Sequence, residues 1–173
     1  MKNRARLRHV IIFATFGAMM FALKVVMEAL PNIHPLGMFI MLLTVVYRTK
    51  ALIPIYIYVL LDGLFHGFGV WWIPYLYIWA ILWGMTMLLP KRMPTAVAAV
   101  AYPAVCGLFG LLFGLFYAPA EAVLFGMSFK ETLAWIAMGA PFDVFHAVGN
   151  AVTGCLVLPL SKVLLKLENN AEK

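Results

Sequence analysis

Long apolar runs separated by short polar interruptions set the pattern of this chain. Six runs stand out, at roughly 10–30, 36–47, 51–68, 71–89, 95–117 and 135–158. Between them lie "PNIHP", "RTK", "HGFG", "PKRMP" and a longer connection, "APAEAVLFGMSFKE". Most runs are long enough for a helix to cross a hydrocarbon core of about 30 Å, so each predicts a transmembrane helix. The second is the misfit, since its dozen residues rise only about 18 Å. Pro31 and Pro35 prevent the first helix from simply continuing into it. Two readings stand side by side. A short, proline-interrupted segment can mark a transport site, or Ile33, His34 and the stem of Arg48 can complete the span by snorkelling.

Composition makes lipid the solvent. Hydrophobic residues are 65% of the 173 positions and charged residues 12%, against about 25% in a soluble domain. The mean hydropathy is +0.96. The expected fold is an all-α integral membrane protein, one compact bundle of six transmembrane helices forming a single membrane domain over 1–173. The first apolar run is longer than a signal-peptide core and no clean cleavage site follows it, so it is expected to stay as the first span. Cys106 and Cys155 both lie in apolar runs, which indicates neither a disulfide framework nor a zinc site.

The net charge of +6 changes the picture through its distribution. With both termini in the cytoplasm and alternating spans, Lys2, Arg4, Arg6, Arg8, Arg48, Lys50, Lys91, Arg92, Lys162, Lys166 and Lys173 all fall inside. Lys130 falls outside and Lys24 within a span, so the asymmetry follows the positive-inside rule and indicates orientation rather than nucleic acid. A multi-pass protein of the cell membrane is expected. The acids sort the other way: Glu28, Asp62, Glu121, Glu131 and Asp143 collect in the outer half, and only Glu168 and Glu172 lie inside.

Candidate chemistry sits in that outer half. In "GAPFDVFHAVGNAVTG", Asp143, His146 and Asn150 fall within about 60° on one helical face. Polar groups at membrane depth are costly and face a bundle interior or wet cavity. They serve either as ligand contacts or as interhelical glue, and Asp143, just after Pro141, also suits the first turn of a helix. Trp72, Tyr75, Trp79 and Trp83 share a face of the fourth run. Trp71 and Trp83 read as interfacial belt, whereas Trp79 is deep enough either to stack on a ligand or to pack the core. Ala14, Ala18 and Ala22 form a small-residue stripe, for internal packing or for a helix of another protein, and Gly107, Gly110 and Gly114 form a second, read as internal. Lys24 and Glu28 are one turn apart and predict an intrahelical pair. Ser128 and Glu131 fit a capping box. His34 and His66 fall at outer mouths, as loop residues or pocket rim. No Walker motif, HExxH or nucleophile elbow is present.

Taken together, these features resemble the substrate-binding S components of energy-coupling factor (ECF) transporters. The resemblance is carried by six spans in about 170–190 residues, the stripe "ATFGAMMFA", the outer loop "LPNIHPLG" and the closing "PFDVFHAVGN". It implies high-affinity capture of a vitamin or related micronutrient from outside. Uptake would be driven by a separate transmembrane coupling subunit and two ATPase subunits, so the chain itself is not expected to be an enzyme. The alanine stripe (Ala14, Ala18, Ala22) would contact the coupling subunit. The pocket would lie in the outer half under the outer loops, drawing on Asp143, His146, Asn150, Trp79, Tyr75 and Trp72, with Asn32, His34, Asp62, His66 and Glu121 around it. Nickel and cobalt members use a histidine just after the initiator Met; Met1-Lys2-Asn3 stands here instead, and neither a metal nor another cofactor is expected. The excess of outer acids favours a cationic or zwitterionic aromatic ligand. The alternative class is a small intramembrane enzyme or membrane-complex assembly subunit using Asp143 and His146.

Overall fold

The computed structural model describes residues 2–29 and 34–171, and these are helical almost throughout. Among the described residues eight α-helices follow one another: α1 Lys2–Val26, α2 Leu36–Tyr47, α3 Leu52–His66, α4 Tyr75–Met87, α5 Thr95–Leu111, α6 Phe113–Phe125, α7 Phe129–Gly154 and α8 Val157–Ala171. Four stretches are long and apolar enough to cross a membrane: Leu7–Val26, Leu36–His66, Val70–Met87 and Thr95–Phe125. A fifth arises if α7 and α8, which meet at a 44° bend, count as one span.

The second of these stretches is folded back on itself. The ring of His34, just before α2, lies 6.4 Å from Trp79, and the ring of Tyr58, within α3, lies 5.9 Å from it. Along one continuous helix those two residues would stand roughly 36 Å apart. The chain therefore reverses between them, at the 3₁₀ turn Arg48–Ala51. Arg48 takes a positive φ of 54°, unfavourable for a residue with a Cβ. Two hydrogen bonds to α4 hold it there. Its guanidinium donates to the Met87 carbonyl at 3.1 Å, and Trp83 Nε1 donates to the Arg48 carbonyl at 3.1 Å. Trp83 thus has a structural anchor that an interfacial-belt reading does not require.

The second run matches α2, Leu36–Tyr47, at both ends, and nearly every residue in it is buried. The fifth run extends further than its apolarity suggests. What reads as a connection after Tyr117 is helix α6, rich in good helix formers, up to Phe125. Gly126, left-handed at φ 62°, closes it, and its N–H bonds the Ala122 carbonyl. Ser128 then opens α7 with the predicted capping box: the Ser128 N–H donates to Glu131 Oε2 at 2.7 Å, and the Glu131 N–H to Ser128 Oγ at 3.4 Å. Because α7 begins at Phe129, Pro141 lies in its interior and Asp143 is not a first-turn acid.

α5 and α6 form a nearly continuous rod antiparallel to α7, and glycines set how closely they approach. A Cβ at Gly107 would stand 3.2 Å from Ala151 Cβ, one at Gly110 2.7 Å from the His146 backbone, and one at Gly154 2.8 Å from Pro103 Cα. This glycine stripe is internal packing, as its small-residue pattern implies. On the other side α1 lies along α3, with Gly17 against Ile57 and the Pro54 carbonyl. The core between these layers is filled by α2 together with Ile55, Tyr58, Ile78, Trp79, Leu82, Cys106 and Phe109.

Candidate functional site

The polar stripe of α7 faces inward throughout: Asp143, His146 and Asn150 are all buried. Their local settings differ. Asp143 lies against the start of α6, where Leu112 offers no side chain to cap the free N–H groups. Both carboxylate oxygens accept from the Gly114 N–H, at 3.1 and 3.2 Å, so Asp143 caps a neighbouring helix across the interface. Gly114 is required by that fit, since a Cβ there would stand 2.5 Å from Asp143 Oδ2. A cleft of about 210 Å³ opens beside it, lined by Phe113, Tyr117, Trp135 and Phe142.

His146 and Asn150 meet no hydrogen-bond partner among the described residues. Both ring nitrogens of His146 and both amide atoms of Asn150 are enclosed without a hydrogen bond, as are His34 Nδ1, Tyr58 Oη and Trp79 Nε1. These seven atoms belong to one cluster. The rings of His34 and His146 are 5.2 Å apart, His146 lies 4.6 Å from Phe113, and Trp79 contacts His34, Tyr58 and Phe113. Asn150 Oδ1 would stand 2.6 Å from a Cβ at Gly37, which places the amide against the first turn of α2. Four elements and the approach to α2 thus bring together an imidazole pair, an indole, a phenol and a carboxamide among aromatic walls. A buried polar group left unpaired costs roughly 1–3 kcal/mol, so several in one buried cluster, hereafter the chamber, mark a place that something else completes. Burial pushes the His34 imidazole down to about 4, so it is neutral at physiological pH.

A second polar group lies at the α1–α3 end of the molecule. Lys24 reaches the Glu28 carboxylate at 2.7 Å and Asp62 Oδ1 at 3.2 Å, and His66 approaches Asp62 at 3.1 Å and Glu28 at 2.9 Å. The predicted intrahelical pair is therefore one edge of a four-residue network around Asp62, which is fully buried. The Lys24 ammonium, hydrogen-bonded to Glu28, holds that carboxyl below the usual carboxylate range.

The remaining expected site residues divide. Tyr75 stands edge-on between Trp79 and Trp71, joining the chamber to the surface aromatics. Trp72 turns to α3 instead and donates from Nε1 to the Val59 carbonyl at 2.8 Å. Glu121 lies on α6, one turn beyond Tyr117, away from the chamber. Asn32 lies outside the described residues. Ala14, Ala18 and Ala22 are all exposed, while Gly17 beside them turns inward. At the other end of the molecule Glu168 is buried, accepts from the Tyr47 hydroxyl at 2.7 Å, and pairs with Arg8 at 3.0 Å.

Sequence reasoning missed Tyr58 and Phe113. Tyr58 had a usable signal, being one helical turn before Asp62 in an apolar run. Compared with protein family models, with curated proteins and with solved structures, the chain matches none.

Proposed function

We propose that this protein captures a small organic solute within the membrane as the substrate-binding subunit of an ECF-type importer. The observation that carries the reading is this buried polar cluster, where seven enclosed hydrogen-bonding atoms from His34, Tyr58, Trp79, His146 and Asn150 have no hydrogen-bond partner among the described residues. Apolar walls with a few convergent polar groups are what a small-molecule site requires.

Three further features support it. The α2–α3 reversal and the bent α7–α8 pair yield six limbs, matching the six apolar runs. In the orientation set by the basic residues, the termini and the Arg48 turn are cytoplasmic, and the chamber and the Asp62 network lie in the outer half. The exposed alanines of α1 leave a flat face on which a coupling subunit's helix can approach closely, with ATP hydrolysis on further partner subunits. Asp143 is engaged by the Gly114 amide, and His146 has no hydrogen-bond partner among the described residues. The pair that acid–base chemistry would use is not assembled, which favours capture over catalysis.

Native mass spectrometry of protein extracted without ligand exchange tests the reading. A stoichiometric small molecule and co-purifying ATPase subunits are expected; a protein free of both overturns it. Cysteine labels at Thr49 and Lys91 should react only from the cytoplasm, and a label at Glu121 only from outside. A bulky side chain at Ala18 should abolish uptake while sparing binding.

A further inference from the structure

The chemistry of the chamber narrows the solute, an inference that rests on the capture reading above. We propose that the chamber selects an uncharged, flat heteroaromatic compound whose edge carries both hydrogen-bond donors and acceptors, such as a lactam or aminopyrimidine edge.

Asn150 offers a carbonyl acceptor and an NH₂ donor side by side, a pair that meets a donor–acceptor edge in two parallel bonds. His146 offers two ring nitrogens, Trp79 a donor, and Tyr58 a hydroxyl that can donate or accept. A partner with only acceptors or only donors would leave several of these unpaired.

Charge comes next. The nearby carboxylates have internal partners: Asp62 pairs through Oδ1 with Lys24 and His66, leaving Oδ2 without a hydrogen bond, and Asp143 accepts from the Gly114 amide. Lys24, whose charge is felt at His34, is already engaged by Glu28 and Asp62, so a carboxylate or phosphate would enter without a free counter-charge. A cation would meet the two imidazoles, 5.2 Å apart, and no carboxylate that is not already paired. Of the outer acids that favour a cationic ligand when counted along the sequence, Glu28, Asp62, Glu131 and Asp143 are engaged internally, and Glu121 lies on α6 away from this cluster. Shape points the same way: Trp79, Phe113, Tyr58 and Phe109 touch one another with ring centroids about 6 Å apart and form one aromatic wall, against which a flat ring can lie edge or face on.

Calorimetric titration of the purified protein in nanodiscs provides the test, with hypoxanthine, pterin and lumichrome as uncharged flat probes and benzamidinium and benzoate as charged ones. At least one uncharged probe should bind, and neither charged probe should. Asn150→Leu should weaken that binding roughly ten- to a hundredfold. Tyr58→Phe, which removes a single oxygen and preserves packing, should weaken it severalfold with an unchanged melting temperature. Tighter binding of benzamidinium or benzoate overturns the ligand class and leaves solute capture standing. No binding by the three uncharged probes also overturns the class; if native spectra show no bound small molecule as well, the capture reading falls with it.

Discussion

Gly110→Ala gives a sharp test of how α5 and α7 hold the chamber. The new methyl would stand 2.7 Å from both the carbonyl carbon and oxygen of His146, and 2.8 Å from Ala147 Cα. Ordinary contact begins near 3.4 Å, so the helices must part by about 0.7 Å. Every atom in the way is backbone, and no side chain can rotate aside. Overpacking of this kind costs roughly 1–3 kcal/mol. The displaced backbone also carries His146, so binding of a captured solute should weaken with stability. Gly139→Ala is the control: it lies in α7 with nothing within 4 Å of its added carbon. That change should be neutral or stabilising by up to about 1 kcal/mol, through helix propensity and lost chain entropy. Thermal unfolding of both variants in one detergent reads the difference. A Gly110→Ala protein as stable as Gly139→Ala would refute the close approach of the two helices, and with it the placement of His146.

Three further outcomes follow from the same geometry. His146→Leu should retain or raise the melting temperature, because it removes two enclosed nitrogens that have no partner, while solute binding falls at least tenfold; lower stability with full affinity would make the stripe interhelical glue. Lys24→Met should cost about 3–5 kcal/mol by stranding the buried Asp62 charge, and Lys24→Met with Asp62→Leu should recover much of it; equal instability of single and double variants in chemical unfolding would exclude the network as the cause. Acid should destabilise the fold through His34. Its folded pKa of about 4 lies below the ordinary 6.5, so the unfolded chain takes the proton first. This contribution is intact above pH 6.5 and fades towards pH 4, by up to about 3 kcal/mol; a His34→Phe protein with the same acid profile in thermal melts would refute it.

Periodicity made the helices legible because lipid leaves the backbone few alternatives, and the bounds of α2 follow from two prolines and a basic turn. The stripe on α7 was visible as a shared face. What the sequence could not show is which member of a stripe finds a partner. Asp143 is satisfied because α6 starts opposite it without a capping side chain, and that depends on the register of two helices far apart in the chain. Trp72 and Trp79 lie on the same face by spacing, yet Trp72 belongs to a 3₁₀ turn and bonds α3 while Trp79 enters the chamber. The length of α6 was hidden by Pro119 and Gly126, which look like loop residues until Gly126 proves to be the cap of the helix. The role of Lys24 was half visible: the bond to Glu28 is local, whereas that to Asp62 crosses to another helix.

Two of the buried carboxylates, Glu168 and Asp62, have a mechanical consequence for α1. Near its start Arg8 is tied to Glu168 of α8, and near its end Lys24 is tied to Asp62 of α3. The helix is fastened at both ends like a strut, with small side chains along its outer edge between the fastenings. Force drawn on the amino terminus would first meet the Arg8–Glu168 clasp, then shear α1 along α3, and finally load the Lys24–Asp62 clasp. The pulling record should therefore show two separate rips for one helix. A partner gripping the middle of the strut would move it as a rigid piece, taking α3 and the wall of the chamber with it.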